Sequence, residues 1–374
     1  MSTATSLSIA EHFASLEDPR ISSKSEHKLL DIIVIAVCGV ICHADDWVSI
    51  AQFGRAKEEW LRGFLELPNG IPSHDTFNRV FSRLSPTQFQ RCFAGWVQAL
   101  SGTYEGLIAI DGKRLRRSHD RSEEKSAIHM VSAWASDNSL VLGQVKTDEK
   151  SNEITAIPQL LELLALEGCL VTIDAMGCQK AIAQQIVDQG GDYLLALKGN
   201  QPGLQEQVWT AFETAEAVDF KGYTVDMLTT EDKGHGRQEV RRYCVLGTQD
   251  LLETSDWPNL NRIGVVESER TVQGKTTTEM RYYISSRALD AKRFAHAVRG
   301  HWGIENGLHW VLDVAFDEDQ CRVRKGYGAE NLAVIRHIAL NAIKQEKTAK
   351  LGVQNKRLRA GWDHAYLAKI LSGI

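Results

Sequence analysis

Two stretches of the sequence decide the fold, Leu107-Ile108-Ala109-Ile110-Asp111 and Cys169-Leu170-Val171-Thr172-Ile173-Asp174. Each is a run of apolar, partly β-branched residues that ends in an aspartate, which is typical of a buried strand. If the two strands are parallel neighbours, both carboxylates lie at the same end of the sheet, where α/β proteins commonly bind ligands. Aspartate after a strand is also a common turn or cap residue, so either one alone has a purely structural explanation.

The segments around these two strands alternate between strand and helix patterns. Further strands are predicted at residues 127–136, 140–147 and 193–197, and helices at 153–166 and 179–188. Three meandering strands followed by helix-linked strands predict an α/β fold, a mixed sheet with flanking helices. Residues 222–286 predict four more strands, which we interpret as a β-rich insertion, and residues 292–316 predict a return to helix.

The first hundred residues predict a helical N-terminal region. Apolar residues recur there at helical spacing, and Ser73 is a candidate N-cap for a helix whose apolar face includes Phe77, Val80 and Phe81. Short helices joined by tight turns are compatible with a helix-turn-helix DNA reader. They are equally compatible with a packing or dimerisation module, and the sequence leaves both alternatives open.

Composition places the chain among folded globular proteins. Of its 374 residues, 43% are hydrophobic and 24% are charged, and only 7 are proline, which excludes a disordered or collagen-like chain. The longest apolar run, residues 29–42, is shorter than the roughly 20 residues that span a bilayer. The 7 cysteines include no CxxC pair, which argues against a disulfide framework or a structural zinc site and favours an intracellular, cytoplasmic protein.

Charge is distributed unevenly along the chain. The net charge of −5 argues mildly against a nucleic-acid partner. However, residues 321–360 contain ten basic residues and only two acidic ones, and a second basic cluster follows Asp111. Such local stripes are compatible with DNA contact, and equally with a solvated helix face.

The two aspartates also predict a cation site. Carboxylates held a few ångströms apart repel each other and resist ionising together unless a cation bridges them. Oxygen ligands favour Mg²⁺, or Mn²⁺ in its place. A site of this kind that holds two ions can cleave a phosphodiester, with one ion activating the attacking hydroxyl and the other stabilising the leaving oxygen.

A third acid lies in the segment His301-Trp302-Gly303-Ile304-Glu305-Asn306-Gly307-Leu308-His309-Trp310. Glu305 and His309 are four residues apart and share a helix face, and Asp313 lies one turn further along it. A carboxylate on this face could complete a metal site. The alternative is a polar helix stripe with Trp302 and Trp310 buried in the core.

Four motifs in this order resemble the H-repeat-associated family of bacterial insertion-sequence transposases. They are Ala109-Ile110-Asp111-Gly112-Lys113, Thr172-Ile173-Asp174-Ala175-Met176-Gly177, Leu197-Lys198-Gly199-Asn200-Gln201 and the His301 to Trp310 segment. The family consists of DDE enzymes with an RNase H-like catalytic domain. The resemblance covers nearly the whole chain.

The resemblance implies a function and a division of the chain. Asp111, Asp174 and Glu305 would be the catalytic triad that binds two divalent metal ions, Mg²⁺ or Mn²⁺, for cleavage at element ends and strand transfer into target DNA. Residues 1–100 would be the DNA-binding or dimerisation region, 101–350 the catalytic domain with its insertion at about 222–286, and 351–374 a basic C-terminal tail.

One departure from wider cut-and-paste transposases concerns the residues around the third acid. Those groups often carry Tyr-x2-Arg-x3-Glu-x6-Lys, whereas this chain has Val298, His301, Glu305 and Leu312 at the corresponding positions. The residues that steady the transferred strand are therefore not assigned by the resemblance.

The expected partner is double-stranded DNA, both element ends and target, bound by a homodimer or higher oligomer. The predicted contacts are basic or amide side chains near the acids: Lys113, Arg114, Arg116, Arg117, Lys198, Asn200, Gln201, Arg322, Arg324 and Lys325. Trp302, His309, Trp310 and Asp313 are possible accessory residues, the tryptophans by stacking on an unpaired base. No nucleotide-binding motif is present, so no nucleotide cofactor is expected. The short apolar runs likewise predict no membrane contact. The protein would associate with the nucleoid when bound to DNA.

Two alternative functions are compatible with the same residues. The first is a metal-dependent nuclease that cuts strands but does not join them. The second is a catalytically inactive element remnant that still binds DNA.

Overall fold

A computed structural model describes residues 9–21, 25–102, 104–119, 126–147, 153–234, 236–248 and 256–372. The helices are α1 (Ile9–Phe13), α2 (Leu29–Ile41), α3 (Trp47–Ala56), α4 (Glu58–Leu61), α5 (His74–Phe81), α6 (Pro86–Ser101), α7 (Glu153–Leu161), α8 (Lys180–Asp188), α9 (Pro202–Ala217), α10 (Ala291–His301), α11 (Trp310–Phe316), α12 (Gly328–Gln345), α13 (Val353–Trp362) and α14 (His364–Leu371). The strands are β1 (Leu107–Arg114), β2 (His129–Ala135), β3 (Leu140–Lys146), β4 (Leu170–Ile173), β5 (Asp192–Leu197), β6 (Val225–Gly234), β7 (Arg237–Gly247), β8 (Arg262–Val272) and β9 (Lys275–Ser285).

The strands of the described segments form one nine-stranded mixed sheet in the order β3-β2-β1-β4-β5-β9-β8-β7-β6. β1, β2 and β3 form an antiparallel meander, whereas β4 and β5 lie parallel to β1. This order, with helices between the parallel strands, confirms the prediction of an RNase H-like mixed sheet. β1 differs in one respect from the sequence prediction: it continues past Asp111, because the antiparallel pairing with β2 extends to Arg114.

The four strands of the insertion do not form a separate sheet. β9 pairs antiparallel with β5, so β6 to β9 continue the sheet that carries the two aspartates. α10 packs on one face of both parts, and its buried residue Phe294 lies in an apolar cluster with Leu107 of β1 and Tyr243 of β7. The insertion is therefore an extension of the sheet that carries Asp111 and Asp174.

The helical N-terminal region packs against the rest of the protein. Ser73 caps α5 as predicted, since its hydroxyl accepts a hydrogen bond from the Thr76 N–H, and Phe77, Val80 and Phe81 are buried. α2 contacts α12, a helix that is buried from Asn331 to Ile343. At the α12 end nearest α5, the Asn331 amide donates to the carbonyl oxygens of Phe81 and Leu84.

The basic C-terminal segment predicted at residues 351–374 contains two helices, α13 and α14, and its residues 373–374 lie outside the described part. The side chain of Arg357 is fully buried and donates to the carbonyl oxygens of Val40 and Ala315 and to the Asp45 carboxylate. At least one basic side chain of this segment, that of Arg357, therefore makes hydrogen bonds inside the protein.

Within the described residues, every helix is too short or too polar to cross a lipid bilayer.

Candidate active site

The register of β1 against β4 brings the two aspartates to one edge of the sheet. The two strands are parallel, and the last residues paired are Ile110 and Ile173. Asp111 and Asp174 each follow directly, so both carboxylates lie beyond the carboxyl end of this pairing. A cavity of about 260 Å³ at this edge is lined by both aspartates and by Glu305.

Local interactions hold each aspartate in place. Asp174 Oδ1 accepts hydrogen bonds from the N–H groups of Met176 at 3.0 Å and Gly177 at 3.3 Å, which fixes the turn after β4. Next to Asp111, a Cβ on Gly112 would overlap the side chains of Glu153 and His129. Glycine at position 112 therefore allows α7, which carries Glu153, to approach β1 closely.

Glu305 reaches the aspartates from a π-helical turn. This turn, Glu305–His309, follows α10 and leads into α11. Turns of this kind occur frequently at functional sites. Gly307 faces the buried indole of Trp134, and a Cβ there would lie 2.7 Å from the ring, so the turn can approach β2 only with glycine at this position.

The turn brings Glu305 and His309 next to Asp111 of β1. One donor atom each from Asp111, Glu305 and His309 lies within 4.8 Å of the other two. His309 Nδ1 is 3.6 Å from Asp111 Oδ2 and 3.7 Å from Glu305 Oε2. This set of two carboxylates and one imidazole has the donor chemistry of a divalent cation site.

The electrostatics of Asp111 favour a positive charge beside its carboxylate. Burial raises the pKa of Asp111 to about 7, and the negative charges of Glu153, Glu305 and Asp174 act in the same direction. A bound cation would offset this repulsion and keep the carboxylate ionised near neutral pH. Burial also lowers the pKa of His309, which favours the neutral imidazole that can bind a metal ion.

Lys113, expected as a DNA contact, occupies a different position. Its ammonium group is turned inward and donates to the carboxylates of Asp313 and Glu318, the second at 2.8 Å. Only 12% of the side chain is exposed, because the Lys113 side chain fills the space between β1 and the α11 segment. Asp313 is therefore paired with Lys113. It is not part of the cluster of donor atoms that Asp111, Glu305 and His309 form.

The other basic residues form two groups. Lys198 lines the cavity, and Asn200 and Gln201 next to it donate to the carbonyl oxygens of Ala175 and Cys178, which ties the loop after β5 to the turn after β4. The second group comes from the end of β1 and from the segment before α12. There Arg324 donates to the Arg117 carbonyl at 3.0 Å, so the two predicted basic segments adjoin. Its exposed members are Arg114, Arg116, Arg322 and Lys325.

The two tryptophans are on the surface, contrary to the core interpretation. Trp302 is 47% exposed and Trp310 is 60% exposed. Trp302 lines the cavity, and the guanidinium of Arg281 lies 5.1 Å from the centre of its ring. An exposed indole with a cation above it is a surface suited to a nucleobase or phosphate.

Sequence reasoning missed several residues of this site. The charge of Glu153 raises the pKa of Asp111, and one Glu153 carboxylate oxygen lies 2.8 Å from His129 Nε2. In the sequence, a single acid at the start of a helix indicates neither interaction. Arg281 comes from β9 of the insertion, which carries no motif. His301, whose Nδ1 is 3.1 Å from the Thr172 hydroxyl, stands out in the sequence only as part of a motif.

Comparison with known proteins identifies the family. The transposase DDE domain family matches residues 103–342, and a family described as DDE_Tnp_1-associated matches residues 10–97. The H repeat-associated putative transposase YhhI of Escherichia coli K12 is 44% identical over 98% of both chains. The putative transposase YncI of Escherichia coli O157:H7 is also 44% identical, over 98% of this chain and 94% of its own.

A solved piggyBac transposase synaptic complex with hairpin DNA matches 97% of this chain and 76% of its own, with a TM-score of 0.41 and 11% identity. Because the DDE domain family matches residues 103–342 and near full-length relatives are 44% identical, the chain belongs to the H repeat-associated family of DDE transposases.

Proposed function

We propose that this protein catalyses DNA cleavage at the ends of an insertion element and joins the freed 3′ ends to target DNA. The observation that carries the proposal is the convergence of Asp111, Asp174 and Glu305 on one cavity at the edge of the sheet. These acids would hold two divalent ions, Mg²⁺ or Mn²⁺, and the chemistry supplied there would be activation of the attacking hydroxyl and stabilisation of the leaving oxygen.

The protein's own residues prepare the site for this chemistry. The backbone N–H groups after Asp174 orient its carboxylate, and the π-turn brings Glu305 within reach of Asp111. Lys198 lines the same cavity, where its charge would meet a phosphate that flanks the cleaved bond, and Arg281, which is paired with Glu279, lies there as well. Trp302 under Arg281 offers a stacking surface for a base at the cleaved end.

We further propose that the basic surface at the end of β1 positions the DNA duplex. Arg114, Arg116, Arg322 and Lys325 are exposed, and phosphate contacts from such residues set position rather than sequence preference. Lys113 is not part of this proposal, because Asp313 and Glu318 neutralise it. We propose that a homodimer or higher oligomer holds the two element ends on the DNA and acts on the bacterial chromosome in the cytoplasm.

The test uses a plasmid that carries the gene with its native flanking DNA. Purified protein is incubated with it in Mg²⁺ or Mn²⁺, and the 3′ ends and any joined products are mapped. We expect metal-dependent cuts at one pair of flanking sites, followed by joining. The variants Glu305→Gln and Asp174→Asn should abolish both, whereas Glu267→Gln, on an exposed ion pair of β8, should retain them.

Each other outcome supports a different function. Cuts without joined products favour a nuclease, and binding to the flanks without cuts favours an inactive remnant. Chemical cross-linking with and without end DNA tests the oligomer: a dimer that forms equally without DNA contradicts assembly driven by the DNA ends.

A further inference from the structure

His309 occupies an unusual position for a core histidine. It is only 5% exposed, and its ring lies against the gap between Asp111 and Glu305. The distances from Nδ1 to the two carboxylates, 3.6 and 3.7 Å, are longer than a normal N–H···O hydrogen bond of about 2.7–3.2 Å. The three side chains therefore surround a shared point without being hydrogen-bonded closely to one another.

The other ring nitrogen has no hydrogen-bond partner among the described residues. Nε2 of His309 is buried there without one, and so is Oε1 of Glu318. The charges of Glu305, Lys113 and Glu318 all act on this imidazole. When Nδ1 of a neutral imidazole binds a metal ion, the ring proton is on Nε2.

Resting on the function proposed above, we propose that His309 Nδ1 is a direct ligand of one of the two metal ions, together with Asp111 and Glu305. That ion then has a mixed oxygen and nitrogen ligand set, whereas an all-carboxylate site has oxygen alone. Mg²⁺ strongly prefers oxygen, and imidazole nitrogen favours transition-metal ions. The site consequently binds Mn²⁺ more tightly than Mg²⁺, and His309 is the source of this preference.

Pulsed electron paramagnetic resonance of Mn²⁺ added to the metal-free protein tests the ligand directly. A directly bound imidazole gives a nitrogen coupling in the Mn²⁺ spectrum, and labelling the histidines with ¹⁵N should change it. We expect this coupling in the wild-type protein and its loss in His309→Gln. In calorimetric titrations, the same variant should bind Mn²⁺ at least tenfold more weakly, on the scale of ~10–100-fold seen for residues that support a metal site, and Mg²⁺ within about threefold of wild type.

Two control variants separate His309 from other histidines. His296 lies on α10 with 67% of its side chain exposed, and His296→Gln should leave the coupling and both affinities unchanged. His301 lines the same cavity, where its Nδ1 faces the Thr172 hydroxyl. His301→Gln should therefore keep the nitrogen coupling.

The outcomes distinguish this inference from the proposed function. Mn²⁺ binding that requires Glu305 but shows no histidine coupling in the wild-type protein overturns the role of His309 and leaves the proposed function intact. A coupling that survives His309→Gln and disappears in His301→Gln overturns it as well. Absence of both Mn²⁺ and Mg²⁺ binding contradicts the metal-dependent function together with the inference. The wild-type spectrum is decisive even if a variant fails to fold.

Discussion

Replacing Glu318 by glutamine should destabilise the protein strongly. Glu318 is 3% exposed, accepts a hydrogen bond from Lys113 at 2.8 Å and lies 3.5 Å from the buried guanidinium of Arg336. Although burial alone would raise the pKa of Glu318, Lys113 and Arg336 hold it below its usual value. Neutralising this carboxylate leaves two buried cations, of which Lys113 keeps its ion pair with Asp313.

The size of the effect follows from the burial of the pair. Removing one partner of a buried ion pair costs about 3–5 kcal/mol, because the other charge stays buried without compensation. We therefore expect Glu318→Gln to lower the free energy of unfolding by about this amount. Equilibrium urea denaturation, followed by far-ultraviolet circular dichroism and by tryptophan fluorescence, measures the difference, and the agreement of the two signals tests whether unfolding is two-state.

The control is Glu267→Gln on the sheet surface. Glu267 lies 3.0 Å from Arg242, and the two side chains are 35% and 46% exposed, so its loss should cost less than about 1 kcal/mol. The double variant Lys113→Met with Glu318→Gln should lose less stability than the sum of the two single changes, because the two residues interact directly. If the free energy of unfolding of Glu318→Gln lies within about 1 kcal/mol of that of the wild type, the buried ion pairs of Glu318 with Lys113 and Arg336 do not stabilise the protein.

Three further predictions concern other parts of the molecule. Burial alone would raise the pKa of Glu346, but hydrogen bonds from Thr348, Tyr366 and nearby backbone lower it from 4.5 to about 2. In urea denaturation at several pH values, wild type should therefore be more stable than Glu346→Gln by about 2 kcal/mol above about pH 4.5, with the difference vanishing as the pH falls through about 2. In Gly307→Ala, the added methyl group should press against Trp134 and lower the free energy of unfolding by about 1–3 kcal/mol. Because the π-turn then shifts, Mn²⁺ binding measured by calorimetry should weaken, and unchanged binding would contradict the close packing of this turn. Arg357→Met should lower the free energy of unfolding by about 3–5 kcal/mol in the same assay, because it leaves the Asp45 carboxylate without its buried partner. A loss below about 1 kcal/mol, as for a surface residue, would refute the structural role of Arg357.

Sequence patterns predict the parts of the fold and the site that a few consecutive residues decide. The apolar runs before Asp111 and Asp174 predict buried strands, and the register of β1 on β4 places both acids at one edge. Ser73 is predicted as a helix cap on the same kind of local evidence, and it caps α5. These features depend little on the rest of the chain, which is why the sequence alone is informative about them.

Features that depend on distant contacts could not be predicted. Lys113 lies two residues after the first acid and resembles a surface cation in the sequence, but its partner Asp313 is 200 residues away in the chain. The pairing of β5 with β9 is also remote, so the insertion resembles a separate unit. The exposure of Trp302 and the approach of Glu153 to Asp111 likewise depend on how elements pack rather than on their own periodicity.

The continuity of the sheet has a consequence for how the chain folds as it is synthesised. β5 ends at Leu197, and its neighbour β9 begins only at Lys275. At translation rates of about 5–20 residues per second, roughly 4–18 s pass before that neighbour has been made. During this interval β5 is an unpaired edge strand, which is prone to pairing with other chains. Yield of folded protein should thus depend on how quickly the ribosome completes the insertion, and slow codons within it would expose the growing chain to aggregation.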